Sequence, residues 1–323
     1  MRIAVLFDNF GPYHIARLAA LGKSCELLAI ELNKSSSEYA WNPAQSVPFE
    51  RITLFDNDFT RTAVARKIGQ ALEVFQPEVV FVPGWSSQAA LQTLLWANRP
   101  NVPAIVMSAS QVIDYQRTPL KEVVKLAILR GFSGAIVGGR AQAAYVTQLG
   151  MDAELVRVGY NVVDNAYFSS RAEAARAEGA AIRKKHALPE RYFLNTARFI
   201  EKKNLFTLLE AYATYRGAVS RQGARDLVIL GDGDLRQALV EKITALGLSA
   251  HVHLPGFKQY DELPDFYGLA EAFILPSLSE QWGLVVNEAM ASGLPVIVSD
   301  RCGCAMELIE EGQNGYSFSP MDT

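Results

Sequence analysis

Two carboxylates, Glu280 and Glu288, flank the nearly apolar run "QWGLVVN" within "LSEQWGLVVNEAMASGLPVIVSD". Paired acids raise the question of glycoside hydrolysis. There the two carboxyls stand about 5–5.5 Å apart in retaining enzymes and about 6.5–9.5 Å apart in inverting ones. On one continuous helix this interval would rise about 12 Å and turn about 80° off a common face, which does not make such a pair. The preceding "FILPS" reads as a strand and Gly283 is a poor helix-interior residue, so the helix is expected to start near 282–284. Glu280 then falls in a strand-to-helix loop and Glu288 in the early helix. Both can face the mouth of one site, beside backbone N–H groups of Gly283 and Leu284. Those N–H groups and the helix dipole favour a phosphate, and two carboxylates suit the hydroxyls of sugars. The pattern reads as binding of a nucleotide sugar, not hydrolysis.

A second constellation is "TARFIEKKN", residues 196–204. Arg198 and Lys203 follow the apparent strand "YFLNTA". An arginine fork with a lysine point charge suits a pyrophosphate, although a solvated basic loop has the same composition. Two D-x-D strings, Asp56–Asp58 and Asp232–Asp234, raise carboxylate ligation of a divalent cation. The first reads as a polar loop, and the second as a Gly-Asp turn capping a helix from Leu235. No metal is expected. The "GDGDLR" string has Arg236 where a dinucleotide fingerprint needs its third glycine, so no nicotinamide site is expected either.

Near the start, "FDNFGPYHIARL" passes from strand to helix at Gly11–Pro12. Glycine there allows close backbone approach to a ligand, and proline fits a first helical position. His14 then lies in the first turn, either orienting a substrate or simply sitting near a helix start.

These side chains need a frame. Short apolar runs ("IAVLF", "CELLAI", "VVFVP", "PAIVMS", "GAIVGG") alternate with helical spacing over 13–22, 60–75, 88–97, 120–131 and 141–149. That alternation predicts βαβ units and a parallel sheet covered on both faces. Residues 169–190, rich in alanine and charge, interrupt it as a surface helix or a connector. The series then restarts with "YFLNTA", "DLVILG", "HVHLPG", "AFILPS" and "LPVIVS", and with helical spacing over 205–215, 235–246, 263–269 and 284–292. The expected fold class is α/β with two Rossmann-like domains, over 1–163 and 190–323, joined by a linker over 164–189. Ligands of such sheets lie at the carboxyl ends of the strands, where the motifs above fall.

Composition narrows the function classes. The net charge of −3 over 323 residues argues against general nucleic-acid binding. Three cysteines (Cys25, Cys302 and Cys304) make a disulfide framework implausible, and "CGC" lacks further Cys or His nearby to complete a metal site. No apolar run approaches the roughly 18 residues of a membrane span, and a cytoplasmic protein is expected. The helix in "RTPLKEVVKLAILRG" sets Arg117, Lys121, Lys125 and Arg130 beside Val, Leu and Ile. It reads as a half-buried helix with a solvated lysine face, or as a helix resting on anionic lipid at the inner face of a membrane.

The strings "RFIEKKN", "LVILGDGDLR", "LPGF" and "PSLSEQWGLVVNEAMASGLPVIVSD", in this order and spacing, resemble the retaining glycosyltransferases of family 4. The resemblance is strong over about residues 190–320 and architectural before that. It implies the GT-B fold, two Rossmann-like domains facing a central cleft, with the E-x7-E signature at Glu280 and Glu288. It implies an acceptor domain over 1–163 and a donor domain over 190–323 whose C-terminal helices continue past this chain. The implied reaction moves a sugar from a nucleotide diphosphate-sugar, a UDP-sugar ahead of GDP- or ADP-sugars, to a hydroxyl of a glycan or lipid-linked acceptor. It needs no metal or cofactor, and the setting is polysaccharide or glycolipid biosynthesis. Arg198 and Lys203 would bind the diphosphate, Glu280 the transferred sugar and Glu288 the ribose. Trp282, Gly283 and Leu284 would seat sugar and phosphate, and Gly256, Phe257 and Lys258 would pack on the base. Gly11 belongs to the first-domain loop, with His14 as a catalytic candidate beside Glu280. Many members carry a histidine after the strand written here "AIVMSAS"; this chain has Ser108, Ser110 and Asp114 as acceptor-side candidates. An epimerase or hydrolase of the same fold, or a catalytically silent nucleotide-sugar-binding partner subunit, are the alternatives.

Overall fold

The computed structural model describes residues 1–33, 41, 46–56, 59–114, 117–220 and 223–321. The chain divides into two compact units, Met1–Val163 and Asp164–Thr323.

In the first unit the strands are β1 (Arg2–Phe7), β2 (Glu26–Asn33), β3 (Glu50–Phe55), β4 (Val79–Pro83), β5 (Ala104–Ser108), β6 (Gly134–Val137) and β7 (Val156–Val158). Its helices are α1 (Pro12–Leu21), α2 (Arg61–Phe75), α3 (Gln88–Asn98), α4 (Pro119–Leu129) and α5 (Arg140–Gln148). The strands pair in parallel in the order β3-β2-β1-β4-β5-β6-β7. Both faces are covered, as a parallel sheet requires. Along β1, Ala4 and Leu6 enter one core with Leu28, Ile30 and Val80. Ile3, Val5 and Phe7 enter the opposite core with Leu27, Ala29 and Met107.

The second unit contains β8 (Tyr192–Thr196), β9 (Asp226–Leu230), β10 (Val252–Gly256), β11 (Ala272–Leu275), β12 (Val296–Ser299) and β13 (Gly315–Phe318). Its helices are α6 (Asn165–Ala177), α7 (Gly179–His186), α8 (Leu205–Ala218), α9 (Arg236–Ala245), α10 (Leu263–Leu269), α11 (Leu284–Ala291) and α12 (Ala305–Leu308). The order β10-β9-β8-β11-β12-β13 repeats the winding of the first sheet. In each sheet the direction of winding reverses once, between β1 and β4 and between β8 and β11. Loops leaving adjacent strands diverge there and open a crevice for a ligand.

Three strands were not legible as apolar runs: β3, β7 and β13. All three are edge strands. An edge strand is less enclosed than a central one, so "ERITLF", "VRV" and "GYSF" carry polar residues that mask the strand signal. Residues 165–186 form two helices of the second unit. Phe168, Ala172 and Ala175 of α6 are buried, and a Cβ on Gly268 of α10 would lie 2.6 Å from the Ala172 carbonyl oxygen. The alanines that look like connector composition therefore allow a close helix–helix contact.

Candidate functional site

β8 runs out into the loop carrying Arg198 and then into a 3-10 turn, Glu201–Lys203. Three backbone bonds hold this loop against the one following β9. Ala197 N donates to Leu230 O (2.9 Å), Phe199 N to Asp232 O (2.8 Å) and Leu235 N to Phe199 O (3.1 Å). The approach is close enough to require glycine: at Gly231, φ +126°, a Cβ would fall 1.8 Å from the Ala197 oxygen. The "GDGD" string is thus a buttress for the Arg198 loop. The helix cap expected from it is not made. Leu235 is the N-cap of α9 without a side-chain bond, and the Asp232 carboxylate instead accepts from Gly233 N at 2.8 Å. Among the described residues no group of three or more His, Cys, Asp or Glu is placed to hold a metal; Asp58, of the other D-x-D string, lies outside them.

β11 lies beside β8 at the point of reversal. The loop after β11 is tied to the β8 side through Leu278 N, which donates to Lys202 O at 2.8 Å. Glu280 pairs in a parallel bridge with Cys302, its N–H donating to Arg301 O (3.2 Å) and its carbonyl accepting from Gly303 N (3.0 Å). So held, the Glu280 carboxylate contacts Lys203 Nζ, with Ser277 Oγ donating at 3.5 Å. The two charged side chains are only 13% and 12% exposed. They lie far apart in sequence and meet because strand order places their loops at one switch point. Burial pushes the Cys304 thiol up to about 12 and raises the Cys302 thiol further, so both are inert packing groups beside Glu280.

Gly283, φ +102°, is the N-cap of α11, which begins at Leu284. Glu280 accordingly lies in the loop and Glu288 in the helix. The first amides of α11 have no acceptor within the helix and lie next to Glu280 in the chain. The Glu288 side chain is fully buried, and Tyr267 OH of α10 donates to its Oε2 at 2.7 Å. Trp282 is buried too; its indole N–H donates to Asn287 Oδ1 at 2.8 Å, which makes it a packing residue of this turn.

The turn "PGFK" leaves β10 at Gly256, φ +87°, whose carbonyl accepts from Gly231 N at 3.0 Å. Phe257 is half-buried. Lys258 Nζ lies 5.5 Å above the Phe266 ring and 3.8 Å from Glu262. Tyr260 anchors the turn by stacking on Tyr167 of α6, with ring centroids 4.9 Å apart. Burial and the neighbouring Glu288 carboxylate raise the Tyr260 hydroxyl, which stays protonated.

In the first unit the loop after β1 ends at Gly11, the N-cap of α1, and His14 lies in the first turn of that helix. Gly11 N–H donates to His14 Nδ1 at 3.0 Å, and the ring packs 4.2 Å from Phe7. Burial, with Arg17 adding repulsion, lowers the imidazole to about 3. An Nδ1 that accepts fixes the neutral tautomer with its proton on Nε2, so His14 is a hydrogen-bond donor and not a cation. Gly11 itself has φ −90°, a conformation open to any residue. Ser108 and Asp114 shape their own loop: Ser108 Oγ accepts from Ser110 N (3.2 Å) and Asp114 Oδ2 from Gln111 N (2.8 Å).

Two acids here escaped notice in the sequence. Glu31 is fully buried and accepts from Phe10 N (3.1 Å), Arg51 Nε (2.8 Å) and Thr53 Oγ1 (2.6 Å). It therefore fixes the loop that leads through Gly11 into the first turn of α1, where His14 lies. A carboxylate inside the apolar strand "ELLAIELN" was the available signal. Asp8, at the end of β1, is raised by burial and accepts from Ser87, which begins α3 after β4. The switch point of the first sheet thus also joins two polar side chains.

Arg117, just before α4, and Lys125 on it both bond Tyr145 OH at 2.8 Å, and Lys125 pairs with Glu122. The outward face is therefore not the expected lysine face. Leu120, Val123 and Val124 are 76%, 62% and 50% exposed, next to exposed Lys121. Among the described residues no helix is long and apolar enough to cross a membrane.

Comparison with known proteins follows this division of the chain. The family model described as "Glycosyl transferases group 1" matches residues 179–323. The alpha-D-kanosaminyltransferase of Streptomyces kanamyceticus is 29% identical over 252 residues, 74% of this chain and 63% of that protein. A GDP-mannose-dependent alpha-(1-6)-phosphatidylinositol monomannoside mannosyltransferase of Mycobacterium tuberculosis is 34% identical over 150 residues, 44% of this chain and 37% of that protein. The chain thus spans less than two thirds of the length of these curated relatives. In fold it is similar to Anabaena Alr3699/HepE, solved in complex with UDP and glucose, with TM-score 0.73 at 21% identity over 99% of this chain and 86% of that one. Two parallel sheets wound alike are the GT-B architecture, and residues 179–323 are similar to the group 1 glycosyl transferases.

Proposed function

We propose that the chain is a retaining glycosyltransferase that moves a sugar from a nucleotide diphosphate-sugar to a hydroxyl acceptor in polysaccharide or glycolipid assembly. The observation that carries this reading is the buried Lys203–Glu280 contact at the switch point of the second sheet, beside the first turn of α11. A cation and a carboxylate touching each other suit a phosphoryl oxygen and a sugar hydroxyl that are themselves neighbours in the ligand. Arg198 and Lys203 hold the diphosphate, Glu280 the sugar and Glu288 the ribose. Gly256, Phe257 and Lys258 face the base, and Gly283 and Leu284 offer amides to the phosphate. As the glycosidic bond breaks, charge builds on the leaving diphosphate, and fixed positive groups stabilise it without a metal. In the first unit, which takes the acceptor, His14 contributes a neutral N–H donor. UDP is the preferred nucleotide carrier, in line with the UDP and glucose bound by the Anabaena protein. A lipid-linked acceptor fits the exposed apolar face of α4 and the phosphatidylinositol mannoside named for the mycobacterial relative.

Calorimetric titration of UDP-, GDP- and ADP-sugars in EDTA tests the reading. Binding of one of them is expected, and binding of none would sink it. Arg198→Ala and Lys203→Ala should weaken the nucleoside diphosphate at least tenfold, by loss of charge-assisted bonds, and leave the free nucleoside unchanged. Equal losses for both ligands would remove the diphosphate from these residues.

A further inference from the structure

Glu288 is a buried acid in an apolar helix, and what surrounds it decides which way its carboxylate points. Tyr267 OH donates to Oε2 at 2.7 Å. The Tyr267 ring is itself fully buried, edge-on to Phe168 at 6.1 Å and 5.8 Å from Phe273, so the phenol has no room to swing away. Its hydroxyl also lies 3.4 Å from Thr196 Oγ1. A phenol has one proton. With that proton on the carboxylate, the Thr196 hydroxyl is left to donate to the phenol oxygen. Thr196 ends β8, the strand that leads into the Arg198–Lys203 loop. Thr196, Tyr267 and Glu288 therefore form a chain of hydrogen bonds from the end of β8, through α10, to α11.

We infer that Tyr267 is a positioning residue of the nucleotide site, holding the Glu288 carboxylate in the orientation that receives the ribose hydroxyls and locking it to the end of β8. This rests on the donor-site reading above. Tyr267 need not touch the ligand. It occupies one carboxylate oxygen with a donor held in place by packing. That bond restricts the last torsion of the carboxylate, a soft rotation, and so improves the geometry with which it meets a pair of hydroxyls.

The test is calorimetry of the full chain with UDP and with 2′,3′-dideoxy-UDP, and in parallel with GDP and its dideoxy analogue, on wild type and Tyr267→Phe. Loss of a hydrogen bond to a charged group predicts about tenfold weaker binding of the ribose diphosphate. Affinity for the dideoxy analogue should stay within about twofold. In a Glu288→Ala background the same substitution should change UDP affinity by less than about twofold, since the group it positions is gone. Unchanged UDP affinity in Tyr267→Phe, or equal losses for both ligands, would overturn the inference; equal losses mean a general loosening of the site. Should Tyr267→Phe melt too low to titrate, Thr196→Val interrupts the same chain at its other end. It should cost about threefold for UDP alone, and no ribose-selective loss would count against the role. Wild type that binds neither diphosphate removes the donor-site reading and this inference with it, an outcome seen before any variant is compared.

Discussion

Replacing Lys203 by Met takes away the cation that faces Glu280. At 13% and 12% exposure the pair is poorly screened, and removing one partner of a buried pair costs roughly 3–5 kcal/mol because the other charge is stranded. The lower end applies here, about 3 kcal/mol, since Ser277 Oγ stays 3.5 Å from Glu280 Oε1. Glu280→Met strands Lys203 and should cost a similar amount. The double variant strands neither charge, and its flexible, unbranched side chains fill most of the vacated volume. It should therefore be no less stable than either single variant, giving a coupling of about 3 kcal/mol. Two units can unfold in separate transitions, so the readout must belong to the second. Trp282 is the one tryptophan after Asp164, and its indole NMR signal followed through urea unfolding reports on that unit. Additivity of the two substitutions within about 0.5 kcal/mol would refute the reasoning, since a solvated contact is worth only about 0–1 kcal/mol. The double variant should still lose diphosphate binding, which separates the role of Lys203 in the site from its role in the scaffold.

His14 gives a pH signature. Its folded value of about 3 lies below the unfolded 6.5, so between these values the unfolded chain carries a proton that the folded one does not. The associated stability is present above pH 6.5 and is lost as pH falls toward 3, at up to about 1.4 kcal/mol per pH unit. His14→Gln keeps a side-chain acceptor for Gly11 N–H but does not titrate; urea unfolding from pH 7 to 4.5 should show a shallower slope for it, and equal slopes would place the imidazole in water. For α4, co-sedimentation with phosphatidylglycerol–phosphatidylcholine vesicles should show binding that falls at least about tenfold in Leu120→Ser/Val123→Ser/Val124→Ser, from the lost apolar burial. Equal sedimentation of wild type and variant would free this face from a lipid role.

Much of the architecture follows from local pattern. The nine central strands announce themselves as apolar runs because central strands of a parallel sheet are buried on both faces, and burial leaves a local trace; the edge strand β10 does so as well. Gly283 places the break before α11 for a similar reason: its backbone, at φ +102°, is one that few other residues adopt. The edge strands β3, β7 and β13 leave no such trace because half their surroundings are solvent or loop.

Side-chain partnership is what sequence alone could not supply. Arg198, Lys203, Glu280 and Glu288 stand out by residue type, but that Lys203 touches Glu280 follows from β8 and β11 being neighbours at the reversal of strand order. The "GDGD" string looks like a ligand or a cap, and close packing against Ala197 and Phe199 makes it a buttress. Tyr267 and Glu31 look like ordinary members of a helix and a strand until the fold encloses each with its polar partners. Periodicity reports which side of an element is buried. It does not report what is buried against it, because contacts between distant segments depend on the order in which strands are laid down.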